Sequence, residues 1–149
     1  MRSSENEILV IFSTSNAFIR QVKAGSFGVI LEAASRNVAI TILTPMNETV
    51  KVIAKQLKNQ NKNIRVKNIE PSSRITITAM IVDRRHSLTV ELRDDSKPFS
   101  ADAMGATTYS TNKSTVMSYV SMFENLMRLI ELYEESQAKL QESKMNLAL

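Results

Sequence analysis

The chain has 149 residues, of which 43% are hydrophobic and 23% charged, and its formal net charge is +4. This length allows one hydrophobic core but not two ordinary domains plus a long helix. With no cysteine and one histidine, disulfide frameworks and cysteine nucleophiles are excluded, and we expect neither a metal nor a cofactor. The sequence has no secretory signal and no run of about 18 apolar residues, so we expect a cytoplasmic protein without membrane contact.

The first half of the chain alternates predicted strands and helices. Residues 7–13 and 38–44 are continuous apolar runs, typical of strands buried on both faces. Apolar residues at helical spacing predict helices at 27–34 and 48–59, and residues 64–69 predict a third strand. This order indicates three neighbouring parallel strands with right-handed crossovers.

A long connection at residues 14–25 follows the first predicted strand and contains Phe18, Arg20 and Lys23. A loop of this length can fold over a ligand. The alternative is an irregular helix start capped by Ser15 or Asn16, and the residues leave both interpretations open.

The second predicted helix has a basic face. Its lysines recur at helical spacing, at Lys51, Lys55, Lys58 and Lys62. We favour a solvated face over a nucleic-acid patch, because no aromatic side chain is interleaved with these lysines. Nucleic acid is therefore not an expected partner.

The second half of the chain follows a different pattern. The predicted strands at 74–82 and 87–92 are joined by so few residues that they must form an antiparallel hairpin. A polar loop at 93–104, a short strand at 105–109 and a long helix complete the chain. The expected fold is a mixed α/β sheet, with a parallel βαβαβ part, an antiparallel hairpin, and a long C-terminal helix that enters a coiled coil.

The C-terminal helix, predicted for residues 112–149, carries apolar residues in a seven-residue repeat that is typical of a coiled coil. The sequence lacks a helix stop signal there, so we expect a longer parent protein. We predict a sensory domain at 1–130 and the start of a signalling helix at 131–149. We favour the interpretation in which residues Val116 to Ile130 pack the helix on the sheet and the coiled coil begins near Tyr133. The predicted homodimer interface is Tyr119, Phe123, Leu126, Ile130, Tyr133, Gln137, Leu140 and Leu147.

A small polar ligand is expected beyond the carboxyl ends of the parallel strands, where open α/β sheets bind ligands. No catalytic residue is predicted, because His86 has no nucleophile placed with it and residues 84–86 are typical of a solvated turn. The candidate ligand-binding residues are Ser13, Thr14, Asn16, Arg20, Thr44, Thr76, Thr78, Asp83 and Thr107.

The order of strands, hairpin and helix, with Asp83 ending a hairpin strand, resembles one half of the phospholipase D fold. That family's signature is a His, a Lys two residues later and an Asp five residues beyond the Lys. With Asp83 at the last position, Thr78 and Thr76 stand where the Lys and the His would be. The resemblance implies a catalytically inactive relative, because a threonine hydroxyl cannot replace an imidazole nucleophile at neutral pH.

A second resemblance covers nearly the whole chain and is carried by residues 14–18, 81–84, 90–96, 108–111, 118–126 and 131–133. These segments are similar to the input domains of cytoplasmic sensor histidine kinases from ammonia-oxidising archaea. The resemblance implies a homodimer joined through the C-terminal helix to kinase domains in cis. This chain lacks the phosphoacceptor and ATP-binding motifs, so it is not expected to be an enzyme itself.

Two alternatives remain. One is the effector-binding and dimerisation domain of an archaeal transcription regulator, and the other, less favoured, is a phospholipase D-type phosphodiesterase.

Overall fold

A computed structural model describes residues 6–69 and 75–148 of the chain. Within these ranges, the strands are β1 (Glu7–Ile11), β2 (Ala39–Thr44), β3 (Ile64–Asn68), β4 (Ile77–Val82), β5 (His86–Leu92) and β6 (Met104–Ser110). The helices are α1 (Ser15–Lys23), α2 (Ser26–Ser35), α3 (Glu48–Gln60), α4 (Ser100–Ala103) and α5 (Lys113–Leu147).

The strands form one mixed sheet in the order β3-β2-β1-β4-β5-β6. The first three strands are parallel neighbours, whereas β4, β5 and β6 continue the sheet with antiparallel pairings. The predicted mixed α/β class, its parallel half, its hairpin and its long C-terminal helix are therefore confirmed. The predicted start of the hairpin at residue 74 lies outside the described residues.

Each face of the sheet is covered by different helices. Alternate residues of β1, such as Ile8 and Val10, pack under α1, α2 and α3, whereas Leu9 and Ile11 pack under α5. Because both faces are covered at β1, the strand is a continuous apolar run rather than an alternating one.

The connection at 14–25 contains the helix α1 instead of a loop that covers a ligand. Thr14 has extended backbone angles, and its Oγ1 accepts a hydrogen bond from the Ala17 amide at 3.0 Å. The helical alternative is the one observed, although the cap is Thr14 rather than Ser15 or Asn16. The predicted polar loop at 93–104 likewise contains a short helix, α4.

The apolar packing of the helix α5 on the sheet is confined to its first half. Val116, Val120, Phe123, Met127 and Ile130 are buried, and all described residues after Ile130 are exposed. Although α5 has 35 residues, no helix in the described part of the chain is long and apolar enough to cross a membrane.

Part of the predicted dimer interface belongs to the core of the single chain. Phe123 and Ile130 are only 3% and 9% exposed, and Tyr119 and Leu126 pack beside them. The sequence could not separate the two kinds of contact, because a helix packed on a sheet and a coiled-coil helix present apolar stripes of nearly the same period. Tyr133 and Leu140, in contrast, are exposed.

Candidate functional site

Several predicted site residues do meet at the carboxyl end of β1. The Ser13 amide donates to Thr78 Oγ1 at 3.3 Å, and the two hydroxyl oxygens lie 3.4 Å apart. Thr44 is fully buried, and its hydroxyl donates to the Pro45 carbonyl at 3.0 Å. The hydroxyl of Thr44 is therefore hydrogen-bonded within its own turn, whereas Ser13 and Thr78 form a polar pair between neighbouring segments.

Thr14, Asn16 and Arg20 converge on Asp95, a residue that was not predicted for the site. Thr14 Oγ1 donates to Asp95 Oδ1 at 2.9 Å, Asn16 Nδ2 donates to Oδ2 at 3.2 Å, and Arg20 Nη2 donates to Oδ1 at 2.8 Å. We call these four residues the Asp95 cluster. It attaches the loop between β5 and α4 to the start of α1.

The Arg20 side chain is 7% exposed and that of Asp95 33% exposed, so this ion pair is largely removed from water. Arg20 Nη1 also donates to the backbone carbonyls of Asp95 at 3.0 Å and Lys97 at 3.3 Å. A buried guanidinium needs such partners, since an uncompensated buried charge is strongly unfavourable. The charge of Arg20 is thus already compensated by groups of the protein itself.

The turn that carries Asp95 is stabilised by its neighbour Asp94. Asp94 Oδ1 accepts hydrogen bonds from the Ser96 hydroxyl at 2.6 Å and from the Ser96 amide at 3.0 Å. These bonds favour the ionised carboxylate, with the hydroxyl contributing most, and they lower the pKa of Asp94. The turn is therefore strongest when Asp94 is charged.

Asp83 lies at the opposite end of the sheet from the Asp95 cluster. Its Oδ1 accepts from the amides of Asn6 at 2.9 Å and Glu7 at 2.8 Å, at the start of β1. The length of β1, roughly 16 Å, separates this carboxylate from Ser13. Because β4 runs antiparallel to β1, the fold places Asp83 and Asn16 at opposite ends of β1 instead of bringing them together.

Two further predicted residues stay apart from this cluster. Thr76 is exposed and precedes β4, and Thr107 is exposed on β6 opposite Val90. Neither residue forms one of the side-chain hydrogen bonds that hold the Asp95 carboxylate, which come from Thr14, Asn16 and Arg20.

The hairpin turn at 83–85 is not simply solvated. Arg84 pairs with Glu7 at 3.0 Å and with Glu124 of α5 at 2.7 Å. The hydrogen bond to Glu124, followed by that to Glu7, raises the pKa of Arg84 above its ordinary value. His86 Nδ1 lies 2.6 Å from the hydroxyl of Tyr109, and the two rings are stacked. The turn thus connects the hairpin to β1 and α5.

A cavity of about 180 Å³ lies beside the Asp95 cluster, between α1, α4 and the sheet. Of the predicted site residues, Arg20 and Thr78 reach its wall. Sequence reasoning missed the cavity because its apolar wall combines residues of several strands that are far apart in the sequence, and no local pattern indicates that they meet. The main apolar contributors are Phe12, Ile42, Met80, Leu88, Val90 and Met104.

Together, these observations define a mixed α/β domain with a polar cluster at the carboxyl end of β1 and an apolar cavity beside it. No protein-family model matches the chain, and a sequence comparison with curated proteins finds no relative.

Solved structures do share the fold. One is TrmBL2, described as an archaeal chromatin protein that shows a novel mode of DNA binding, with a TM-score of 0.61 and 16% identity over 85% of this chain. This chain spans only 45% of the TrmBL2 chain. Another is Nuc, a phospholipase D family member from Salmonella typhimurium, with a TM-score of 0.59 and 12% identity, covering 85% of this chain and 81% of that one. At these identities the similarity establishes the phospholipase D-like fold alone.

Proposed function

We propose that this chain is the signal-input module of a sensor histidine kinase, which binds a ligand or partner and transmits the change through a dimeric C-terminal helix to kinase domains in cis. The observation that carries the proposal is the extension of α5 beyond its last buried residue, Ile130. From Ile130 to Leu147 the helix projects about 25 Å from the core. A solitary helix without a packed face gains little stability in water, so a partner for this segment is expected.

The projecting segment carries an apolar stripe at the spacing of a coiled coil. Tyr133, Leu140 and Leu147 are seven residues apart and are 54%, 50% and 85% exposed. Gln137 lies between them at the other core position of the repeat. A polar residue at such a position weakens a dimer and restricts its register, which suits a helix that must switch between two arrangements.

The helix is also attached to the domain by ion pairs at two places along its length. Glu124 pairs with Arg84 of the hairpin, and Glu134 pairs with Lys67 of β3 at 3.1 Å. In this proposal, these pairs and the apolar packing of α5 on the sheet are the contacts through which a change in the domain would reach the helix. This arrangement supports a role in transmission more than one in catalysis.

We infer in addition that the chain is not a phosphodiesterase. Thr78, at the position of the signature lysine, is paired with Ser13, and Thr76 is exposed outside the strands. The single histidine of the chain, His86, lies at the hairpin end of the sheet beside Tyr109. Incubation with bis(4-nitrophenyl) phosphate should release no more nitrophenol than buffer does, and turnover that is lost in His86→Ala would contradict this inference.

A second candidate function is the effector-binding and dimerisation domain of a transcription regulator. It is favoured by the similarity of fold to TrmBL2, which is a DNA-binding protein. The face of α3 with Lys51, Lys55 and Lys58 is exposed and would be the first surface to examine. If this domain itself binds DNA, fluorescence anisotropy with a labelled duplex should show an affinity that falls steeply with salt and weakens in Lys55→Glu. The sensor-kinase proposal predicts no such binding at physiological salt.

Site-specific crosslinking tests the dimer directly, because the natural chain contains no cysteine. In a parallel coiled coil, the residues at equivalent core positions of two helices face each other, so Leu140→Cys should form a disulfide between two chains under mild oxidation. Glu142→Cys, on the outer side of the same helix, is the matched control and should crosslink much more slowly. Equal rates for the two variants would rule out the proposed parallel dimer.

A further inference from the structure

We propose that the cavity beside the Asp95 cluster is a binding site for a small, neutral and mainly apolar molecule, about the size of a single ring. The sequence indicated a polar ligand, whereas the cavity favours an apolar one. The use of this ligand as a signal rests on the function proposed above, whereas its binding does not.

The size and walls of the cavity determine the ligand class. The cavity, about 180 Å³ in volume and partly open to solvent, is lined mainly by aliphatic and aromatic side chains, including Phe12, Ile42, Leu88 and Val90. Apolar cavities of about 150 Å³ stay dry and accept benzene-sized molecules, because water finds too few hydrogen-bond partners in them. A molecule of about six to nine non-hydrogen atoms would restore the missing van der Waals contacts.

The electrostatics of the wall favour a neutral ligand. Arg20 is the cation at the cavity, but its guanidinium already contacts the Asp95 carboxylate and two backbone carbonyls. Glu91 is the acidic residue that lines the rim, and it would repel an anion. A bound carboxylate or phosphate would therefore lose its hydration without gaining a free positive partner.

The ligand would touch both sides of the junction that the Asp95 cluster closes. Ala17 and Arg20 contribute to the wall from α1, while Leu92, Ser100 and Met104 contribute from either side of the Asp95 loop. A bound molecule would thus stabilise the packing of the loop against α1. Met80 in this wall is followed by Ile81, which packs under α5 on the other face of the sheet. The strand β4 therefore lines the cavity with one face and contacts α5 with the other.

Methyl NMR on the intact chain tests the proposal. The chain has eight methionines, of which Met80 and Met104 line the cavity and Met145 is exposed on the projecting part of α5. In protein labelled with ¹³C at the methionine methyl groups, toluene should cause saturable shifts of Met80 and Met104 and leave Met145 unchanged. Met80→Leu and Met104→Leu assign the two signals. Benzoate, with the same ring and a negative charge, should bind at least tenfold more weakly.

Cavity-filling variants test whether toluene binds inside the cavity. Val90→Phe places a ring inside the cavity and should weaken toluene binding at least tenfold, whereas Val52→Phe makes the same change at a position that is 58% exposed and should have no effect. If Val90→Phe does not fold, Ala17→Leu fills the cavity from α1 and decides the question. Unchanged binding in a folded filling variant would overturn the proposal.

Two other outcomes would also overturn it. One is the absence of toluene shifts at Met80 and Met104, or shifts of equal size at Met145. The other is that the natural chain does not respond to toluene while Val90→Phe changes its mass in sedimentation, since a second copy of the chain would then occupy the cavity. Failure of Leu140→Cys to crosslink, with the toluene shifts intact, would instead contradict only the proposed helix-mediated signalling.

Discussion

Arg20 and Asp95 form the polar contact of the candidate site that is most removed from water, and their energetics can be tested as a pair. Asp95→Ala would leave the guanidinium of Arg20, which is 7% exposed, without its carboxylate. We expect a loss of about 2–4 kcal/mol in the free energy of unfolding, because a buried charge without its partner is costly. In a protein of this size, this corresponds to a drop of roughly 4–16 °C in melting temperature.

The control is the double variant Arg20→Met with Asp95→Ala, which removes both charges. It should recover at least half of the stability lost in Asp95→Ala, since buried ion pairs are often replaced by apolar residues at little cost. A double variant as unstable as the single one would show that Asp95 acts through Thr14 and Asn16 rather than through Arg20.

Asp94 gives the loop a defined pH dependence. Because its hydrogen bonds from Ser96 lower its pKa below the ordinary value of 3.8, the contribution of Asp94 to stability is complete above that value. It is lost as the pH falls through the lower pKa of the folded state. The difference in melting temperature between the natural chain and Asp94→Asn should therefore be constant at neutral pH and vanish under strongly acidic conditions. A difference that instead grows as the pH falls would contradict the assigned role.

The hairpin turn allows backbone strain to be separated from ion pairing. Asp83 and Arg84 have φ angles of +52° and +56°, a conformation that glycine adopts more readily than other residues. Arg84→Ala loses the pairs with Glu7 and Glu124 and should destabilise the chain by about 1 kcal/mol. Arg84→Gly loses the same pairs but relieves the strain, so chemical denaturation should find it more stable than Arg84→Ala.

At the scale of the elements, α5 has a part that packs on the sheet and an exposed part, and Gln137 lies in the exposed part. If the proposed dimer forms, replacing this polar core residue of the repeat by an apolar one, Gln137→Leu, should tighten it about tenfold or more, since polar residues at such positions reduce coiled-coil stability. Sedimentation equilibrium measures the change. Ser136→Leu, one residue away and outside the core positions, is the matched control. A dimer constant that responds equally to both variants would indicate general hydrophobic association.

The elements also show how far the sequence could predict this fold. The strands β1 and β2 were predictable because short, continuous apolar runs between polar residues are typical of strands buried on both faces, and the hairpin because its connection is too short for a crossover. The helix α1 was ambiguous because its buried face includes Arg20, a residue that normally indicates exposure. Its burial depends on Asp95, which is far away in sequence, and no local pattern indicates that contact.

The candidate site was less predictable than the fold for a related reason. Thr14, Asn16 and Arg20 lie close in sequence at the start of α1 and meet on Asp95, whereas the antiparallel direction of β4 places Asp83 at the opposite end of β1. The side chains of Phe123 and Ile130 fit both a sheet-packed helix and a coiled coil, and only their burial distinguishes the two. Polar residues at strand ends indicated the end of the sheet at which the cavity lies, but not the apolar character of that cavity.

For the whole molecule, the burial pattern of α5 predicts where the self-sufficient domain ends. A chain that ends after Leu132 keeps Met127 and Ile130, the last buried residues of the core beneath α5. It should melt within about 2 °C of the full chain, because the main contact it loses is the exposed pair between Lys67 and Glu134.

A chain that ends after Leu126 lacks both buried residues and should be destabilised by about 3–6 kcal/mol, since each buried side chain of this size contributes about 1.5–3 kcal/mol. The melting temperature should then fall by roughly 6–24 °C. Both truncated chains should be compared with the full chain at a protein concentration low enough to dissociate the dimer, so that only folding is measured. If the chain ending after Leu132 were also strongly destabilised, the projecting part of α5 would be part of the folded domain rather than an output helix, and the division of the molecule at residue 130 would be wrong.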